Sequence, residues 1–405
     1  MFQKNELKIL TPFYLHSLVL GLSKVIMPFY VLYFLSIGFD FWKIALIGSA
    51  RSIAGLIFEI PTGAIADIYG RKFSVILGYV LSGFSLLFVP FVHSFHAMLL
   101  LFVANAIFET LFSGADRAWV VDLLNEKKER FLTDSYFLKT RAFRNIGLIA
   151  APVIAGIVVG LYGMSILWAI FGSGMILSSL ILFLGKESEI KKESIKSEEA
   201  KKVYEIKKFT SHIQESFKFI FKSKIISLLF LGIFVFYFVD EITSLAWAPY
   251  LEKNNISLPM IGYLFSIIAG IGVVLPLFIE KLLKKKSRLS ILLFIMAAYA
   301  FLLMSLGFIS GSLIIAAIFI LFSSIEEIFV PLEESLVNFY ISSKNRATVL
   351  SAKSVIESFS SIIGGPIAGL VLITFSLRQS IVLSGFLLLS LPLIYSFLKN
   401  KKGAK

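Results

Sequence analysis

The chain has 405 residues, of which 57% are hydrophobic and only 16% are charged. Soluble domains carry about 25% charged residues, so this composition excludes an ordinary water-soluble fold. The net charge of +13 suggests anionic partners, and the positions of the basic residues decide which. The chain has no cysteine, which excludes disulfides and thiolate metal sites.

Twelve apolar segments follow one another along the chain, each long enough to cross a membrane as a helix. About 20 helical residues span ~30 Å of hydrocarbon, where only helices and closed barrels satisfy their backbone. The apolar runs are continuous, whereas barrel strands alternate in polarity. We therefore predict an all-α membrane protein with twelve transmembrane helices, numbered here as spans one to twelve: 11–37, 43–66, 73–92, 97–121, 136–160, 163–184, 225–251, 258–280, 289–309, 312–340, 348–375 and 379–398.

Lysine and arginine are concentrated in alternate loops. Of the 39 basic residues, 30 lie in seven segments, namely 1–10, 67–74, 122–139, 185–224, 281–288, 341–346 and 399–405. The opposite loops hold only Lys43, Lys253 and Arg378. The positive-inside rule then predicts a multi-pass protein of the cytoplasmic membrane with both termini in the cytoplasm. Anionic lipid headgroups account for the positive charge, so no nucleic-acid partner is expected.

A polar, Lys/Glu-rich segment divides the chain in the middle. We predict an N-terminal six-helix bundle at 1–184, a cytoplasmic linker at 185–224 and a C-terminal six-helix bundle at 225–405. Within the linker, apolar residues recur at helical spacing beside Lys208, Lys218 and Lys222; they are Phe209, Ile213, Phe217, Ile220 and Phe221. This pattern favours an amphipathic helix on the membrane surface, with a disordered linker as the alternative.

The two halves contain related residues in the same order. Lys139 aligns with Lys353 at an offset of 214, and the pair Glu109 and Asp116 of span four corresponds to Glu326 and Glu333 of span ten, each pair seven apart. Spans five and eleven also share small residues and prolines that favour helix packing, among them Gly147, Pro152, Gly156, Gly365, Pro366 and Gly369. Such a repeat predicts two related bundles with a substrate path between them, operating by alternating access.

Residues 59–72 read Glu-Ile-Pro-Thr-Gly-Ala-Ile-Ala-Asp-Ile-Tyr-Gly-Arg-Lys. This segment resembles the signature between helices two and three of the major facilitator superfamily, which implies that superfamily's fold and secondary active transport. The resemblance implies a cytoplasmic gate that Asp122, as partner of Arg71, and Arg346, at the start of span eleven, would complete. The residues of the predicted gate are Gly63, Asp67, Gly70, Arg71, Lys72, Asp122 and Arg346.

Span five is similar to the antiporter motif of drug exporters, although alanines replace two of its glycines. Asn105 occupies the position in helix four where drug/proton antiporters usually have an arginine. The usual proton relay of those exporters therefore cannot be transferred to this chain.

The predicted membrane spans contain ten acidic and six basic residues, which cannot all pair. An ionised side chain near the bilayer centre costs ~3 kcal/mol or more, so such residues are candidates for function. The resemblance implies that spans one, four, seven and ten line the central cavity. Since seven residues make about two helical turns, we expect Glu109 and Asp116 to share one helix face. The candidate proton or substrate site comprises Lys24, Arg51, Glu109, Asp116, Asp240, Glu241, Glu326 and Glu327.

The main functional hypothesis is proton-coupled efflux of small amphipathic, cationic compounds. A proton and a cation competing for one carboxylate would couple the two fluxes. Lys24 and Arg51 keep open the alternative of an uptake carrier for a small anionic nutrient. A third possibility is a sensor or lipid scramblase on the same fold. No nucleophile and base form a catalytic group, so we expect no enzyme, cofactor or metal site, and a monomer whose partners are a small-molecule substrate and membrane lipid.

Overall fold

In a computed structural model, residues 2–187, 224–283, 287–340 and 346–397 are described. Within these ranges the protein is entirely helical. Twelve helical segments are long and apolar enough to cross a membrane, which confirms the predicted all-α fold of twelve transmembrane helices. The spans, numbered as above, are Glu6–Ser36, Phe41–Tyr69, Arg71–Phe91, Phe95–Glu126, Arg130–Tyr162, Ser165–Phe183, Ile226–Lys253, Leu258–Leu275, Arg288–Ser305, Ser312–Val337, Lys353–Thr374 and Leu377–Ser396.

Within the described residues, nine of the spans each contain one main α-helix. Spans three and five include 3₁₀ turns, Val89–Phe91 and Arg130–Leu132, next to that helix. The nine helices are Phe41–Tyr69, Arg71–Phe88, Thr133–Tyr162, Ser165–Phe183, Lys224–Lys253, Leu258–Leu283, Arg288–Ser305, Ser312–Tyr340 and Arg346–Thr374. Span twelve consists of two helices, Leu377–Leu388 and Ser390–Ser396.

Span one is interrupted near its middle. The helix Glu6–Ser23 ends at Lys24, and the chain continues through the 3₁₀ turn Met27–Phe29 into the helix Tyr30–Ser36. At the break, Lys24 N donates to Gly21 O at 3.3 Å. This acceptor lies three residues back along the chain, whereas in an α-helix it would lie four residues back. Irregular backbone at membrane depth is tolerated where it is buried in protein or lines a cavity. Lys24 therefore lies at a place where the helix geometry changes.

Span four is also interrupted, and this corrects one sequence expectation. Glu109 lies in the helix Phe95–Thr110 and Asp116 in the helix Ala115–Glu126. Between them Gly114 has φ 73°, in the left-handed region that glycine adopts without steric cost. The expectation that both acids share one helix face assumed one continuous helix, whereas the two acids lie in separate helices.

The contacts of the chain form two compact units. One unit contains the residues up to Tyr33 and those from Ala50 to the linker, and the other contains Phe34–Ser49 and the residues after the linker. Residues 34–49, assigned from sequence to the first half, thus make their contacts in the second unit. Most of the predicted linker, with the amphipathic stretch 209–221, lies outside the described residues.

Helix packing follows the same order in both units. In the first unit span one packs on spans five and six, and span three packs on spans four and six. In the second unit span seven packs on spans eleven and twelve, and span nine packs on spans ten and twelve. The internal repeat seen in the sequence is therefore present in the helix neighbours of each bundle.

Glycines permit the closest helix contacts. A side chain at Gly147 would meet Leu22 N at 2.5 Å and Leu18 O at 2.7 Å, so spans one and five touch through their backbones there. Gly365 and Gly369 face the start of span two, since a side chain at Gly369 would meet Phe41 O at 2.9 Å. In the same motif Gly156 and Pro152 are buried within span five. Small residues are what membrane helices need for such contacts.

Candidate functional site

The segment 59–72 organises one end of the first unit. Gly70 has φ 99° and forms the turn between spans two and three, as its lack of a side chain permits. Arg71 and Asp122 form the expected ion pair, with Nη1 and Oδ2 2.5 Å apart. Lys72 Nζ donates to the carbonyls of Phe183 at 2.9 Å and Gly185 at 2.7 Å, where the helix of span six ends. Three consecutive residues therefore connect spans two, three, four and six.

The other residues of the predicted gate are Gly63, Asp67 and Arg346. Gly63 and Asp67 lie in the last turns of the span two helix, and Asp67 is exposed. Arg346 is the first residue of the helix Arg346–Thr374, and its side chain lies outside the described part of the structure.

Arg51 and Glu109 form the centre of a polar network inside the first unit. Arg51 Nη2 lies 2.9 Å from Glu109 Oε2, and Nη1 donates to Asn105 Oδ1 at 3.2 Å. The Asn105 amide donates in turn to the hydroxyls of Ser82 and Ser85, both at 2.8 Å. Span two thus supplies an arginine to the helix-four position where the sequence has asparagine. The charge of Glu109 is compensated within its own bundle.

Lys24 and Arg144 are two further cations of this unit. Both side chains are partly buried, and Lys24 is within electrostatic reach of Arg144 and Glu109. Arg144 Nε is buried without a hydrogen-bond partner. No ion pair of Lys24 is present among the described residues. Asp116, also close to Arg144, accepts a hydrogen bond from the Arg117 backbone N–H at 2.6 Å, at the start of the second helix of span four.

The second unit contains most of the candidate acids. The carboxyl groups of Asp240 in span seven and Glu326 in span ten lie close enough to interact electrostatically. Glu241, next along span seven, accepts a hydrogen bond from Ser361 Oγ at 2.5 Å. Glu327 is exposed and packs beside Gly272, whose added side chain would meet its carboxyl carbon at 3.1 Å. The four acids thus form one cluster, since Glu241 lies within electrostatic reach of Asp240 and Glu327 within that of Glu326.

Sequence reasoning missed two buried ion pairs as sites. Glu6 is 0% exposed, and its Oε1 lies 2.6 Å from Lys139 Nζ. Glu333 is 1% exposed, and its Oε2 lies 2.7 Å from Lys353 Nζ. The alignment of Lys139 with Lys353 was the available signal. It could not identify the partners, because Glu6 and Glu333 do not align with each other.

Comparison with known proteins places the chain among transporters. The model of the Major Facilitator Superfamily matches residues 13–332. An uncharacterized MFS-type transporter of Bacillus subtilis (strain 168), YxaM, is 28% identical over 398 residues, covering 96% of each chain. The nucleoside transporter NupG has a similar fold, with a TM-score of 0.78 at 15% identity, over 97% of this chain and 99% of that one.

Two further solved structures share the fold. A bacterial homolog of the human lysosomal transporter Spinster has a TM-score of 0.74 at 16% identity, covering 100% of both chains. A D-xylose-proton symporter has a TM-score of 0.70 at 12% identity, over 95% of this chain and 96% of that one. Such distant structures establish the fold and leave the substrate open. The match over most of the chain shows that this protein belongs to the Major Facilitator Superfamily, as a multi-pass membrane transporter.

Proposed function

We propose that the protein exports small amphipathic cations across the cytoplasmic membrane in exchange for protons. The observation that carries this proposal is the proximity of the two acids Asp240 and Glu326, whose carboxyl groups interact electrostatically. The two-bundle fold would supply alternating access. The acid pair would couple the movement of the substrate to the movement of protons.

Two neighbouring carboxyl groups are disfavoured from ionising together, because their like charges repel, as in other carboxyl pairs that share one proton. Neither acid has a Lys or Arg partner among the described residues. An ionised group at membrane depth costs ~3 kcal/mol or more, so the pair requires a proton or another cation.

Exchange follows from this requirement. A cationic substrate that approaches the pair supplies the positive charge, and the shared proton can leave. When the substrate departs, a proton returns. Because either cation satisfies the carboxyl pair, inward movement of protons would drive outward movement of the substrate.

The test is transport by the purified protein in liposomes. With an imposed proton gradient, a lipophilic cation such as tetraphenylphosphonium should move against its own gradient, and Asp240→Asn or Glu326→Gln should abolish the coupling. The control is Glu252→Gln, on the same span as Asp240 but exposed at its end. Full cation movement in both pair variants would refute the proposal.

A second candidate is transport of a small organic anion, which Lys24 and Arg144 favour. Two neighbouring cations in a membrane bundle, one with a buried unpartnered Nε, suit a carboxylate or phosphate. This function predicts that Lys24→Gln abolishes anion uptake while Asp240→Asn does not. Lys43→Gln serves as its control, since Lys43 is partly exposed and pairs with Asp40. The two functions therefore make opposite predictions for Lys24 and Asp240.

A further inference from the structure

The second unit has an apolar groove between spans nine and twelve. It has a volume of about 770 Å³ and lies where span nine ends and span twelve begins. This is the opposite end of span twelve from the C-terminus. Ordinary small-molecule sites measure roughly 300–1,000 Å³, so the groove can hold a chain-like apolar group. None of the candidate transport residues lines it.

The walls of the groove are exposed aromatic and aliphatic side chains. Phe308 is 89% exposed and Phe301 is 67% exposed, with Phe386 at 60% on the facing span. Large apolar side chains at this exposure cost little only where they face hydrocarbon. Since spans nine and twelve are long and apolar enough to cross a membrane, the natural occupant of this groove is an acyl chain.

Arg378 adds a positive charge to this apolar groove. Its Nε donates to Leu306 O at 2.8 Å, and its Nη2 donates to Ile309 O at 2.9 Å, both in the loop after span nine. These bonds fix the guanidinium at the groove and leave Nη1 available. No ion pair of Arg378 is formed within the described residues. Basic residues are rare in the loops at this end of the molecule, where only Lys43 and Lys253 accompany it.

We propose that this groove binds one phospholipid, with an acyl chain between spans nine and twelve and the phosphate on Arg378. Arginine binds phosphate oxygens through charge-assisted hydrogen bonds, and its position at the end of a span matches the depth of lipid headgroups. The chemistry excludes the transported cation as the occupant, because Arg378 would repel it. This site is independent of the proposed transport function.

The proposal can be tested by native mass spectrometry of the full chain reconstituted with phosphatidylglycerol and then released from the membrane. The unaltered protein should keep one lipid. Arg378→Gln should reduce retention about tenfold or more, as expected for the loss of a charge-assisted contact. Leu383→Trp, which fills the groove, should do the same. The control is Lys43→Gln, which removes a basic residue at the same end of the molecule. This variant should retain the lipid.

Thermal unfolding of each variant shows whether it is folded, and Ser305→Phe fills the groove from the other wall if Leu383→Trp does not fold. If Arg378→Gln and the groove-filling variant both retain the lipid as well as the unaltered protein does, the proposed site is wrong. So does displacement of the lipid by inorganic phosphate alone, since an acyl chain would then contribute nothing. Displacement by tetraphenylphosphonium would also overturn it.

Discussion

Lys139 in span five and Lys353 in span eleven occupy equivalent positions of the internal repeat, and each contacts a glutamate that is at most 1% exposed. The two partners differ. Glu6 receives further hydrogen bonds from Tyr14, Ser135 and the Gln3 backbone. One oxygen of Glu333, Oε1, is buried without a hydrogen-bond partner. The first bundle therefore satisfies its buried acid completely and the second does not.

The Glu6 pair should be a main source of stability in the first unit. Removing one partner of a buried ion pair leaves an uncompensated charge and costs about 3–5 kcal/mol. Glu6→Met should therefore lower the thermal unfolding temperature strongly in detergent. Glu6→Met combined with Lys139→Met should recover much of the loss. Lys43→Met is the control, because its pair with Asp40 is exposed and 3.7 Å long. Additive losses in the double variant would contradict this explanation.

Lys353 should be more sensitive to replacement than its counterpart in the repeat. Its ammonium lies within 2.7 Å of Glu333, 3.3 Å of Glu334 and 3.7 Å of Glu357. Lys353→Met removes the cation these three carboxylates share and should destabilise the protein by several kcal/mol, roughly the cost of a broken buried pair. Adding Glu333→Gln should restore part of the unfolding temperature. No recovery would show that packing, and not charge, is decisive.

Gly147 should tolerate no side chain. Gly147→Ala places a methyl group against the backbone of Leu18 and Leu22, and overpacking of this kind costs about 1–3 kcal/mol. Gly55→Ala is the matched control, since nothing lies within 4 Å of a side chain there. The control should be neutral or slightly more stable, because alanine favours helices over glycine. Equal unfolding temperatures for both variants would be inconsistent with the close helix contact.

Transport should require an arginine at position 51. Its two nitrogens contact Glu109 and Asn105 at once, a fork geometry that lysine cannot reproduce. Arg51→Lys and Arg51→Gln should both reduce transport in liposomes while the protein remains folded. Arg141→Lys, an exposed arginine in span five, is the control. Wild-type transport in Arg51→Gln would exclude a role for this network.

Arg71 and Asp122 should affect transport more than stability. The pair is partly exposed, and such pairs are worth about 0–1 kcal/mol. Arg71→Gln should therefore unfold near the wild-type temperature but transport more slowly, if the pair belongs to the gate. The exchange Arg71→Asp with Asp122→Arg should restore part of the rate. A rate unaffected by either change would remove the pair from the mechanism.

The sequence by itself determined the twelve spans and the repeat. Both follow from local properties, because continuous apolar runs need helices in hydrocarbon and aligned residues need no knowledge of contacts. The expected pair of Arg71 with Asp122 is present in the structure, but it came from the family resemblance and not from local properties, because Asp122 lies in span four, outside the segment 59–72.

Only the tertiary structure decided the partners of the buried charges. Glu6 pairs with Lys139 across 133 residues, and Arg51 reaches Glu109 across 58. Hydropathy cannot predict these distances, because they depend on which helix faces meet. The same limit applies to Glu109 and Asp116, which the sequence places in one continuous helix, since a turn with one glycine of positive φ interrupts that span. Side-chain direction in a bundle follows from helix breaks and packing, which apolar composition does not encode.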